Sequence, residues 1–182
     1  MSNTNYPKPL AIDDVHTSLC KDYDSYERLP ALLDVADDMA DEDWLVLLGQ
    51  LWSGFDNIGP CSGDLFWAIA ERVPDMESAI PEMMNHEERV AFEALPEQIT
   101  IYRGCGPKNI FGFSWSLGRK TAAKFPFIPR YRTDEPKLLT ATISKSRAAA
   151  LKLERGEQEV IVFDFHDEPS IRWTEEPLLT PC

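Results

Sequence analysis

The chain is poor in side chains that bind metals. Its 182 residues include four cysteines and three histidines. Cys20, Cys61, Cys105 and Cys182 form no Cys-x-x-Cys pair, and His16, His86 and His166 are scattered among them. Zinc sites need ligands paired at short spacing, so no metal is expected and the thiols read as reduced and non-catalytic. Long apolar runs are missing as well. Residues 44–48 are apolar but stop at Gly49-Gln50, far short of the ~20 residues a membrane-crossing helix needs. Residues 1–9 are polar and interrupted by proline, without the apolar centre of an export signal. These absences predict a soluble, cytoplasmic protein with no membrane role.

Positive charge is scarce and unevenly placed in a chain of net charge −13. Residues 1–100 carry 5 Lys and Arg against 21 Asp and Glu. Residues 101–155 reverse the balance at 12 against 3, and residues 156–182 return to 1 against 7. A cationic block in an acidic chain favours a pyrophosphate-bearing ligand or another polyanion. It equally suits packing of the acidic segment against the basic one.

A hydrophobic share of 43% suffices for a packed interior, and the length fits one domain or a core with an extension. The first forty residues read as an Asp-rich lead-in with two short helices. Trp44, Leu48, Leu51, Trp52 and Phe55 recur at helical spacing and predict a helix over 43–55, with Leu45 and Leu47 on a second apolar face. Leu65, Phe66, Ile69 and Ala70 repeat the pattern over 62–73, before Pro74. Asn85 and Glu88 have the spacing of a capping box and open a third helix that stops before Pro96. Trp44, Trp52 and Trp67 read as core.

The texture then changes. Ile99, Ile101 and Arg103 alternate with Thr100 and Tyr102, which predicts a strand. Further strands are expected over 110–116, 138–143 and 159–165, and one more around 171–173. Ser116 is placed to cap a helix through residues 121–125, which Pro126 ends. A loop rich in Pro and Arg follows over 126–136, and 144–153 reads as short helix or irregular chain. Helices first and strands later predict the α+β class. The expected division is an acidic, mainly helical segment over 1–95, packed as one compact unit on a β-rich core over 96–182. Gly104-x-Gly106 lacks the third glycine of a dinucleotide fingerprint and opens no helix, which argues against a Rossmann fold.

Three short elements in the second half are Tyr102-Arg103-Gly104, Phe113-Ser114-Trp115-Ser116 and Glu157-Gln158-Glu159-Val160. In that order, each beside or within a strand-like run, they resemble the arginine–serine–glutamate signature of the ADP-ribosyltransferase superfamily. The resemblance spans residues 98–165. After the N-terminal helices it implies a mixed, mainly antiparallel split β-sandwich, with NAD as a substrate and no metal. Trp115 stands where relatives often carry Thr, on the face opposite to Ser114.

The residue types suit that chemistry. Cleaving the nicotinamide–ribose bond is an N-glycoside scission through an oxocarbenium-like state. Nicotinamide leaves as a neutral molecule, so no acid is required. One anion near the developing charge, a cation for the pyrophosphate and a donor to hold the anion are what remains useful. The resemblance implies Glu159 as the catalytic carboxylate on the ribose 2′-OH, Ser114 as the residue orienting it, and Arg103 as an NAD-binding brace. Ser116, Phe127 and Arg130 are further NAD-binding candidates, the last two in the loop after the Ser-x-Ser helix. Residues i and i+2 of a strand share a face, so Glu157 can join Glu159 in one cleft. In relatives a Glu at this earlier position activates the nucleophile and often accompanies arginine acceptors. Residues 149–155 correspond to their acceptor-recognition loop.

The expected function is mono-ADP-ribosyl transfer to a macromolecule, with protein favoured and nucleic acid open. The chain is similar to intracellular bacterial or phage-encoded transferases, toxin-like effectors sometimes restrained by an inhibitor protein. Two alternatives stand beside it. One is an NAD glycohydrolase toxin. The other is a non-catalytic acidic interaction protein using Asp34, Asp37, Asp38 and Asp41.

Overall fold

Apolar residues at helical spacing give way to alternation along this chain, and the fold follows that change. The computed structural model describes residues 8–56, 58–73, 75, 78–110, 112–163 and 173–179. Two compact units divide at Met1–Arg72 and Val73–Cys182, so the boundary falls earlier than the change of texture near residue 95.

The first unit holds helices α1 (Ile12–Asp22), α2 (Arg28–Asp34), α3 (Asp41–Leu51) and α4 (Ser62–Ala70). Asp41, Glu42 and Asp43 occupy the first turn of α3, where negative charge meets the positive end of the helix dipole. Leu29, Leu32, Trp44, Leu47, Leu48, Trp52, Leu65 and Ile69 are buried. The indole of Trp44 is satisfied there, its Nε1 donating to the Leu32 carbonyl at 3.0 Å. Arg72 closes the unit: it donates to the Ala36 and Ala68 carbonyls at 2.8 Å each, and its guanidinium lies 4.9 Å over the Trp44 ring. Trp67 corrects the expected core. It is 67% exposed, since helical rotation carries it away from the face of Leu65 and Ile69.

The second unit holds α5 (His86–Glu93), α6 (Arg119–Ala122) and strands β1 (Gln98–Cys105), β2 (Ser114–Ser116), β3 (Lys137–Ser144), β4 (Ala150–Lys152), β5 (Glu159–Ile161) and β6 (Trp173–Pro177). The described strands form one open sheet in the order β4-β5-β2-β1-β3-β6, with every pairing antiparallel. The class is α+β. Both hydrogen bonds of the Asn85–Glu88 capping box are present at 2.9 Å, as the spacing predicted.

Several boundaries differ from expectation. The second strand is confined to β2, because residues 106–109 form a turn in which Gly106 N donates to Asn109 Oδ1 at 2.8 Å. Ser116 does not cap α6. Its Oγ accepts from Gly118 N at 3.0 Å, and Gly118 holds the cap position. α6 ends at Ala122, before Pro126, which sits inside the 3-10 turn Phe125–Phe127. β4 lies in a stretch expected to be helical or irregular. Its alanine carries little strand preference, and pairing with β5 decides the conformation. Residues 164, 165, 171 and 172, expected in strands, lie outside the described residues. No described helix is long and apolar enough to cross a membrane.

One junction in the sheet is thin. Among the described residues, β1 pairs with β3 over eight residues, but with β2 through Tyr102↔Ser116 alone. The sheet thus consists of two halves, β4-β5-β2 and β1-β3-β6, that meet at a narrow seam.

Candidate active site

The three motif elements lie on the strands around this seam. Ser116 pairs with Tyr102 on one side and with Glu159 on the other, and Glu159 pairs in turn with Lys152. Directly opposed residues of antiparallel strands share a face, so Lys152, Glu159, Ser116 and Tyr102 form one transverse row. Ser114 shares that face but sits opposite Ile161, which makes it a diagonal neighbour of Glu159, roughly 7–8 Å away. The register therefore brings Ser116, rather than Ser114, directly beside Glu159. Glu159 is half-buried, whereas Ser116 is almost fully enclosed.

Ser116 is fixed by its local chain. Gly118 N occupies one lone pair of its Oγ, and the single hydroxyl proton is directed at Gly118 O at 3.3 Å, a long bond. A hydroxyl has one proton to give, so a bond to Glu159 would require it to leave Gly118 O. Glu157 precedes β5 in extended conformation (φ −91°, ψ 131°), and the ladder already includes Gln158, whose carbonyl accepts from Leu117 N at 2.9 Å. Extended backbone through 157–159 puts the two glutamates on one side.

Arg103 crosses the seam. Its Nη1 donates to the Ser114 carbonyl of β2, while Nε and Nη2 donate to the Asn109 carbonyl at 3.2 and 3.0 Å. The side chain thereby holds the 106–109 turn and β2 against β1. Strand alternation alone would send Arg103 and Glu159 to opposite faces. The guanidinium reaches the β2 backbone all the same, and the Glu159 charge is among those that favour its protonated form. Burial lowers the Arg103 pKa from its usual value, and Cys105, Glu159 and Tyr131 oppose that shift. Among the described residues, three of its five N–H groups are used on backbone carbonyls.

α6 covers the β1 side of the seam at very close range. A Cβ on Gly104 would lie 2.0 Å from the Ala122 carbonyl oxygen and 2.7 Å from Pro126 Cδ, so only glycine admits α6 there. The chain then makes two 3-10 turns, Phe125–Phe127 and Pro129–Tyr131, that carry Phe127 and Arg130. Phe127 is half-buried. Arg130 is exposed, with its guanidinium 4.7 Å over the Tyr131 ring.

At the β4 end of the row, Lys152 is buried and donates to Glu88 Oε2 at 2.7 Å and to the Met83 carbonyl at 3.1 Å. Neither Lys152 nor Tyr131 was singled out from sequence. The available signal for Lys152 was a lone cation inside the apolar stretch 148–153. Residues 149–152, which the resemblance aligns with an acceptor-recognition loop, are buried: Ala149 is hydrogen-bonded to Ile161 and Ile80, and 150–152 form β4. In the turn that follows, Glu154 and Gly156 are exposed, with Gly156 at φ 70°.

Among the described residues no group of three His, Cys, Asp or Glu side chains is placed to hold a metal ion. Compared with protein-family models, curated proteins and solved structures, the chain finds no match in any of the three.

Proposed function

We propose that this chain is an NAD-dependent mono-ADP-ribosyltransferase whose reacting centre is the seam between the two half-sheets. The observation that carries the reading is the transverse row in which Glu159 stands directly beside Ser116, with the Arg103 guanidinium bonded to the β2 backbone. The thin Tyr102↔Ser116 junction supports the finer architecture, a split β-sandwich, since a sheet that nearly parts at its middle leaves a crevice for a ligand.

NAD supplies a glycosidic bond to a good leaving group. The C1′–N bond breaks with its electron pair going to nicotinamide, and positive charge develops on the ribose. Glu159 stabilises that charge from the half-buried row, where a fixed anion is worth about a hundred- to a thousand-fold in rate. Ser116 donates its proton to Glu159 and holds the carboxylate still. Ser114 supports it from the diagonal. The N–H groups of Arg103 beyond those on the Asn109 and Ser114 carbonyls take a pyrophosphate oxygen, with Arg130 and Phe127 contributing from the adjoining loop. Glu157, at the solvent side, accepts the proton of the incoming nucleophile. The proposed setting is the cytoplasm of a bacterial or phage-infected cell, where an inhibitor protein would restrain the activity.

The test is to incubate the protein with NAD labelled on its adenylate half and a cell lysate, alongside the Glu159→Gln protein. Glu159-dependent label on a macromolecular fraction supports transfer. Free ADP-ribose with no labelled acceptor converts the reading to a glycohydrolase. Intact NAD in both reactions sinks it.

A further inference from the structure

The segment over the β1 side of the seam has cations that the NAD site does not use. Lys120 and Lys124 lie one helical turn apart, with Ala123 N bonded to Arg119 O at 3.0 Å and Lys124 N to Thr121 O at 3.1 Å, so they emerge from one side. The chain then folds back, and Thr133 N donates to Pro126 O at 3.3 Å, which returns Arg132 to the neighbourhood of Lys124. Lys120, Lys124 and Arg132 are exposed and have no carboxylate partner among the described residues. Their neighbours behave differently: Arg119 pairs with Glu176, and Lys137 with Glu175. In a chain of net charge −13, cations with no carboxylate partner among the described residues, near the Glu159 row, suit an anionic ligand.

Two half-exposed aromatic rings, Phe125 and Tyr131, lie between Lys124 and Arg132 in the chain, with their centroids 5.8 Å apart. Rings for bases flanked by cations for a phosphate backbone suit a single strand of nucleic acid. An anionic membrane is a poorer fit. Such binding needs apolar side chains to insert, and no large hydrophobic residue of 119–136 is strongly exposed. An acidic peptide would satisfy the charges but bring no bases to stack on the rings.

We propose that the 120–132 strip docks a single-stranded nucleic acid and presents one of its bases as the acceptor of ADP-ribose. This rests on the transferase reading above. The balance is simple. The C1′–N bond to nicotinamide breaks with its electrons, a C1′–N bond forms from the base nitrogen's lone pair, and the proton displaced from that nitrogen passes to Glu157. The Glu-x-Glu resemblance pointed to arginine on a protein; the surface beside the site favours a base nitrogen, which needs the same proton acceptor.

The experiment measures anisotropy of fluorescein-labelled single-stranded RNA and DNA oligonucleotides across a salt series. The proteins compared are wild type, Glu159→Gln, and Lys120→Glu/Lys124→Glu, with Arg132→Glu as a second variant. Each sample is also given labelled NAD. Wild type and Glu159→Gln should bind alike, and charge reversal should weaken binding at least tenfold. The dependence of log affinity on log salt should become shallower by about 1.4, the share of two single-strand phosphate contacts. Label should reach the oligonucleotide with wild type only. No salt-sensitive binding, or preferential binding to polyglutamate or to phosphatidylserine vesicles, overturns the docking surface whatever happens to NAD. Binding with label confined to protein overturns the acceptor. Binding with intact NAD in both oligonucleotide and lysate reactions leaves the surface standing and removes the transferase reading beneath it.

Discussion

The Lys152 ammonium lies 2.7 Å from the Glu88 carboxylate, with both side chains shut away from water. That carboxylate also accepts from Asn85 N at 2.9 Å and from Leu153 N at 3.2 Å. One glutamate thus completes the cap of α5 and anchors β4, the strand that sets the register of Glu159. Burying two charges is costly unless each is fully hydrogen-bonded, and this pair is bonded on both sides.

Removing one partner leaves the other charged and unpaired. Lys152→Ala should therefore destabilise the protein by about 3–5 kcal/mol, read as a lower urea midpoint. Glu88→Leu combined with Lys152→Met should recover only part of the loss, because the Asn85 and Leu153 amides remain without their acceptor. Full recovery would mean that the ion pair alone matters there.

The two serines should separate kinetically. Ser116 is the direct neighbour of Glu159 and Ser114 the diagonal one. On the transferase reading, Ser116→Ala should lower kcat for NAD cleavage about tenfold or more, with KM little changed, and Ser114→Ala should do less. The opposite ranking would show that side-chain direction at the seam overrides the register.

Gly112 offers a probe of Arg103 that leaves the arginine itself in place. A Cβ there would lie 2.0 Å from Arg103 Nη2, where only the guanidinium can yield. Gly112→Ala should cost activity by displacing that brace from the Asn109 and Ser114 carbonyls, while the helical unit keeps its far-ultraviolet dichroism. Wild-type kinetics would show that the guanidinium has room to move without consequence.

Cys105 is buried, and burial raises its thiol pKa above the ordinary 9.0, opposed by Arg103 and Lys137 and reinforced by Glu175. Cys61 shifts the same way, through burial and then Asp64. A raised folded-state pKa means that the stabilisation is full below the unfolded value of 9.0 and is lost as pH rises through the folded one. The urea midpoint should fall above pH 9, less steeply in Cys105→Ala. Iodoacetamide mapping at mildly alkaline pH should find exposed Cys20 modified ahead of Cys105.

The helices were legible because their signals are local: Asn85 and Glu88 are three residues apart, and the apolar positions of α3 repeat within two turns. Trp67 was misplaced because aromatic character says nothing about which side of a short helix meets a partner. β1 and β3 were readable from alternation. β4 was not, since alanine runs carry no strand period and its conformation comes from β5. The candidate site was legible as residue types in order, Arg103, Ser114 and Glu159. Its register was not, because whether Ser114 or Ser116 faces Glu159 depends on pairing between segments more than forty residues apart in the chain. Lys152 escaped for the same reason.

The outer strand β6 presents Glu175 and Glu176 and ends at Pro177. A free sheet edge is a template on which a strand of another molecule can grow, and charge and proline are what discourage it. Both glutamates are also tied inward, to Lys137 and to Arg119. The same carboxylates that lock α6 and β3 to the margin of the sheet thus guard it against polymerisation, and exchanging them for apolar residues would turn the margin into an adhesive one.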